Sequence, residues 1–157
     1  MTALRTIAGA VLTAVLILLI SRVMPLSPDL SDWGGRAFPR SYLTPLLILA
    51  VISYFSGWVG AKLSPETGRL VGMLGSLAVG VTTIAGKFHA PLLEPLFQHP
   101  AYPVFSDHAL LALAVLLVCA HLGGLRVEKS QIAKSTSDAA KPVDKQQDST
   151  PIVNEES

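Results

Sequence analysis

The reading of the fold rests on residues 43–89, LTPLLILAVISYFSGWVGAKLSPETGRLVGMLGSLAVGVTTIAGKFH. Two apolar runs flank one short polar turn, Lys62-Leu63-Ser64-Pro65-Glu66-Thr67-Gly68-Arg69. Residues 43–63 reach the roughly 20-residue length that an α-helix needs to cross a bilayer core. Pro45 stands in the first turn of that run, where a missing N–H costs little. Ser64 is placed to cap the next helix, Pro65 suits its first position, and Glu66 faces the positive end of its dipole. The second arm, residues 70–89, is the poorer in large side chains. The stretch therefore predicts a transmembrane helical hairpin.

Small residues recur along both arms at helical spacing. Gly57 and Ala61 follow Ser53, Gly60 follows Ser56, and Gly72, Ser76 and Gly80 run in register with Gly75 alongside. A helix poor in large side chains gains little by facing lipid and is better placed against other helices, where small residues permit close backbone approach. Gly57, Gly60, Ala61, Gly72, Gly75, Ser76 and Gly80 are accordingly the expected helix-packing residues, within one bundle or between copies.

Outward from the hairpin the pattern continues. Residues 6–20 contain no charge, and with Arg22 snorkelling the span extends over about 6–24. A basic start and short apolar core also describe a secretory signal, which would leave three spans. The segment after Ile20, Ser-Arg-Val-Met-Pro-Leu, lacks a small-x-small cleavage site, so an uncleaved first span is expected. Residues 26–41 form a connector with Trp33, Phe38 and the Gly34-Gly35 pair. Residues 90–107 carry Pro91, Pro95, Pro100 and Pro103 among Leu92, Leu93, Leu96 and Phe97, a mixture expected to lie along the membrane interface, or to dip partly into it, in short helical pieces. A fourth span covers 109–125, with Gly123-Gly124 expected to close it. Residues 126–157 hold five Lys/Arg, six Asp/Glu and no aromatic, and are expected to form a disordered cytoplasmic tail. The fold class is thus all-α, an integral membrane four-helix bundle with spans at about 6–24, 43–63, 70–89 and 109–125.

The run Gly57-Trp58-Val59-Gly60-Ala61-Lys62-Leu63-Ser64-Pro65, followed by Gly72 and Gly75, resembles the hairpin of uncharacterised small four-helix bacterial inner-membrane proteins. In those proteins Gly and Ala end one span, a small residue and Pro make the turn, and Gly positions follow. The resemblance covers about twenty residues. A His that often follows the turn there is absent, since Leu70 and Val71 stand in its place. The resemblance implies a bacterial inner-membrane protein and carries no activity.

Charge and composition exclude more than they assign. Charged residues make up 15% of the chain against about 25% in soluble domains, and the net charge of +1 provides no field for nucleic acid. Cys119 alone makes no dithiol pair, which disfavours thiol-oxidising four-helix enzymes. Residues 6–20 lack the acid that small multidrug exporters carry in their first span, and no span has an ionisable residue at mid-depth. With four spans both termini share one side, which collects Arg5, Lys62, Arg69, Arg126, Lys129 and Lys134. The other side collects Arg22, Arg36, Arg40 and Lys87. The bias predicts cytoplasmic termini.

No catalytic or cofactor motif stands out. His89, His99 and His108 belong to one end of the molecule and are the candidates for an outward metal or haem site, though their spacing follows no established ligand pattern. The expected role is a non-enzymatic accessory or structural component in the bilayer, packing against itself or a larger membrane-protein partner. The alternatives are an oligomeric small-solute or ion permease and a His-based metal or haem protein.

Overall fold

The computed structural model of the chain describes residues 2–23, 38–85, 92–97 and 109–139. Among these the secondary structure is entirely helical. The elements are α1 (Thr2–Val23), α2 (Phe38–Ala61), a 3-10 turn (Pro65–Thr67), α3 (Gly68–Ile84), α4 (Glu94–Phe97) and α5 (Ala109–Ala139). Four segments are long and apolar enough to cross a membrane: Thr2–Val23, Thr44–Ala61, Pro65–Ile84 and Ala109–Ser137.

Helix boundaries shift from those expected, for identifiable reasons. The second helix starts at Phe38, so Pro45 lies inside it. The third helix ends at Ile84, short of His89. Gly123-Gly124 do not close the fourth span. Helix α5 runs through them to Ala139, so the expected tail boundary at 125/126 falls mid-helix. Glycine is tolerated there because both positions are buried where another backbone comes close. Residues 140–157 lie outside the described residues.

The α2–α3 hairpin is the centre of the bundle. Helices α1 and α5 each pack against both of its arms and touch each other little. Four helices in cross-section therefore make a rhombus whose short diagonal is the hairpin. Thr6 meets the turn residues Ser64 and Thr67, and Gly124 meets Gly68, so the start of α1 and the later part of α5 lie at the turn end of the bundle.

The two ends are packed by different means. At the turn end the backbones meet at glycine. At the far end a cluster of large side chains fills the interior, with Leu46 and Leu49 from α2, Val79 from α3, Leu116 from α5 and Ile17 from α1. Leu92, Leu93, Leu96 and Phe97, on and just before α4, complete that cluster at 0–1% exposure. The segment around α4 thus goes further than a partial dip at the interface: its apolar side chains insert between helices. Its apolar side chains gain dispersion contacts inside that they would lack at the polar boundary.

Packing polarity is inverted relative to a water-soluble bundle. On α1 the inward stripe is Gly9, Thr13, Ile17 and Ser21, and the outward one is Ile7, Val11, Val15 and Leu19, each more than half exposed. Leu47, Val51 and Phe55 on α2 repeat the outward pattern. In water such faces would cost about 25 cal/mol per Å². In lipid they cost nothing, and small inward residues maximise helix contact.

Candidate functional site

The expected packing residues all come from the hairpin, and the structure gives each a neighbour. A methyl group at Gly57 or at Gly72 would run into the Ala120 carbonyl of α5, so both arms close on one residue from opposite sides. A Cβ at Gly60 would meet the Thr13 hydroxyl and lie 2.6 Å from the Gly9 carbonyl oxygen. One at Gly75 would lie 2.7 Å from the Ala10 carbonyl oxygen. Real Cβ contacts below 3.0 Å essentially do not occur. Ala61 is fully buried beside Gly68. Gly80 is the looser position, facing only the Leu113 side chain at 2.5 Å. Ser76 is buried and donates to the Gly72 carbonyl at 2.8 Å, within its own helix. All seven positions point inward, so the small-residue stripe is occupied within this chain.

The stripe needs counterparts, and sequence reasoning missed them. Gly9 and Thr13 on α1, and Ala120, Gly123 and Gly124 on α5, complete the seam. Thr13 donates to the Gly9 carbonyl at 3.0 Å and reaches the Ser56 carbonyl at 3.3 Å, a contact that fixes the height of α1 on α2. A Cβ at Gly123 would strike the Tyr54 carbonyl, and one at Gly124 the Gly68 carbonyl. The four-residue spacing of Gly9 and Thr13 was visible. The Gly123-Gly124 pair was visible too, but reads equally well as a terminator.

Polar chemistry gathers at the turn end. Ser64 is not a side-chain cap for the following helix, contrary to its expected role. Its Oγ instead lies 2.9 Å from Thr67 Oγ1 and 3.2 Å from Thr6 Oγ1, and Thr6 and Thr67 are 2.8 Å apart. The three hydroxyls tie α1 to the turn. On the other flank Glu128 of α5 takes the capping role. Its Oε1 is 3.2 Å from the Arg69 guanidinium, and its Oε2 accepts from the Arg69 backbone N–H at 3.4 Å. That N–H belongs to the first turn of α3, where an anion meets unpaired donors and the positive dipole end.

Two further cations lie on the α2–α5 side of the same end. Arg126 donates from Nη1 to the Tyr54 hydroxyl at 3.0 Å. The Lys62 ammonium sits 3.7 Å from the centroid of the Trp58 ring.

His89, His99 and His108 lie outside the described residues. Among the described residues no three His, Cys, Asp or Glu come together as a metal-binding group. His121 is described and half-buried, and its Nδ1 has no hydrogen-bond partner. The buried hydroxyls of Ser21, Ser53 and Ser56 are likewise without one. The remaining interior polar groups turn back onto their own helices, as Thr83 does to the Val79 carbonyl at 2.8 Å.

Comparison with protein-family models, with curated proteins and with solved structures gives no match.

Proposed function

We propose that this chain is a multi-pass protein of a bacterial inner membrane, with both termini in the cytoplasm. It acts as a non-enzymatic accessory or structural component, packing against a second copy or a larger membrane-protein partner. The observation that carries the membrane assignment is the continuous apolar exterior, Ile7, Val11, Val15 and Leu19 on α1 and Leu47, Val51 and Phe55 on α2, over an interior that at the turn end is lined by glycine and hydroxyl residues. The excess of Lys and Arg on the side of the turn supports the orientation. The accessory role is supported by what the described interior contains. Its buried polar side chains are Thr and Ser apart from Glu128, which is paired with Arg69 at the bundle end, and the half-buried His121 lies about two turns before Glu128 on α5. A coupled carrier places an ionisable group at the translocation path.

The test has two arms. A fluorescent reporter fused after Ser157 is expected to be active, and alkaline phosphatase at the same place inactive; the reverse pattern overturns the orientation. Mild-detergent purification of the tagged chain is expected to bring down a stoichiometric membrane protein or a second copy. A lone monomer that conducts solute in liposomes, or carries visible haem absorbance, overturns the accessory role.

A further inference from the structure

Cations on a membrane-spanning helix near its end are ordinarily neutralised by neighbouring acids or by lipid phosphate. By sequence, Arg126 and Lys129 have Glu128 between them, which suggests mutual cancellation. The structure separates them. Glu128 turns into the bundle, is only 12% exposed, and is committed to Arg69 on the α3 flank. Two residues back along a helix is about 200° around it, so Arg126 points to the α2 flank instead. Among the described residues neither Arg126 nor Lys62 has an acidic partner.

Both cations are held in place. Tyr54, Trp58 and Lys62 follow one another at four-residue spacing down a single stripe of α2. Arg126 crosses from α5 to the first of them, and Lys62 folds back over the second. Gly123 brings the two backbones together against Tyr54 and Trp58, so the stripe borders the line of contact between α2 and α5, the α2–α5 crease. Lys62 follows the last residue of α2, so the crease straddles the end of the crossing segment. Aromatic rings with cations at that depth are the chemistry of a headgroup boundary.

We propose that the α2–α5 crease, lined by Tyr54, Trp58, Lys62 and Arg126, selectively holds an anionic glycerophospholipid of the leaflet at the turn end. The phosphate lies between the ammonium and the guanidinium, and the glycerol and upper acyl chains lie on the Tyr54 and Trp58 rings. Charge complementarity selects this occupant: two oriented positive groups with no acidic partner among the described residues, and an apolar flank continuous with Phe55, which stacks edge-on to Tyr54 at 5.7 Å. The proposal rests on the membrane assignment above, and on neither the orientation nor the accessory role.

Trp58 supplies the probe. The full chain carrying Trp33→Phe, which leaves Trp58 as the sole tryptophan, is reconstituted in mixed phosphatidylcholine and phosphatidylglycerol vesicles. Bromine is placed near the glycerol end of the acyl chains, on one lipid class at a time at equal mole fraction. The anionic brominated lipid is expected to quench Trp58 as though enriched roughly fivefold around it, the effect of one juxtamembrane cation or more. Adding K62Q and R126Q is expected to equalise the two lipids, whereas Tyr54→Phe, which frees the guanidinium but keeps its charge, reduces the preference without abolishing it. Equal quenching by both lipids in the Trp33→Phe chain overturns the proposal, as does a preference that survives K62Q and R126Q. Absence of quenching by either lipid overturns the membrane assignment itself.

Discussion

At the scale of single residues, the decisive quantity is the space in front of each glycine. Gly72 and Gly80 are two turns apart on α3, yet they meet different things: the Ala120 carbonyl in one case and the end of the Leu113 side chain in the other. Backbone has to move as a unit, while a leucine changes rotamer. Gly72→Ala is therefore expected to cost about 1–3 kcal/mol, the range for overpacking, and Gly80→Ala clearly less. Reversible unfolding of the purified protein in mixed detergent micelles measures both, and equal costs would contradict the assignment of Ala120 as the tight point. The choice of Gly57 and Gly72 as packing residues was available from spacing alone. Their common partner was not, because Ala120 is one alanine in a run of Ala and Leu whose periodicity does not single it out.

At the scale of helices, α5 is joined to the hairpin by carbonyl contacts along its length and by Glu128 at the turn end. The carboxylate serves two acceptances at once, the guanidinium of Arg69 and its N–H. The guanidinium is half-exposed and screened, so the ion pair contributes at the small end of the usual range, and the capping interaction with α3 adds about 0.5–1 kcal/mol. Glu128→Ala is thus expected to lower stability by about 1 kcal/mol and Arg69→Ala by less, since the N–H acceptance survives in the latter. Denaturation of the two variants under matched conditions, repeated at high salt, checks the order, and a larger loss for Arg69→Ala refutes it. The four spans and the turn were legible from apolar run length and from Ser64-Pro65. The length of α5 was not. Two glycines and a polar continuation look like an ending, and only the approach of Gly68 and Tyr54 explains why a helix carries glycine there. Nor does a proline-rich apolar loop reveal whether it lies on a bundle or inside it.

For the whole molecule, the contrast between its ends has energetic content. The turn end relies on backbone proximity at glycine, flanked by the Thr6, Ser64 and Thr67 hydroxyls and the Glu128–Arg69 pair. The far end relies on bulk, with the one-turn helix α4 filling the interior between α2, α3 and α5. Leu93→Ala, at 0% exposure, is expected to cost about 2 kcal/mol, the low end for leucine truncation, because part of the usual transfer term vanishes when lipid is the solvent. Thermal unfolding followed by circular dichroism measures this loss. A variant as stable as the parent would show that the segment is not part of the packed interior. The overall layout was readable from the chain because a bilayer imposes length and polarity directly on sequence. The seam between helices was only half readable, because small residues announce that something comes close without saying what.

The inward stripe of α1 has a consequence for synthesis. This helix precedes its partners in the chain, and the residues that receive Gly9 and Thr13, Gly60 and Gly75 among them, follow by about fifty residues. Its outer rows of Ile, Val and Leu suit it to lipid before those partners follow, and Thr6 and Thr13 turn their hydroxyls onto carbonyls of their own helix. The third helix is the least apolar of the four and has no such independence. Only paired with α2 does it complete the groove that receives α1, since Gly60 and Gly75, one from each arm, both close on Thr13.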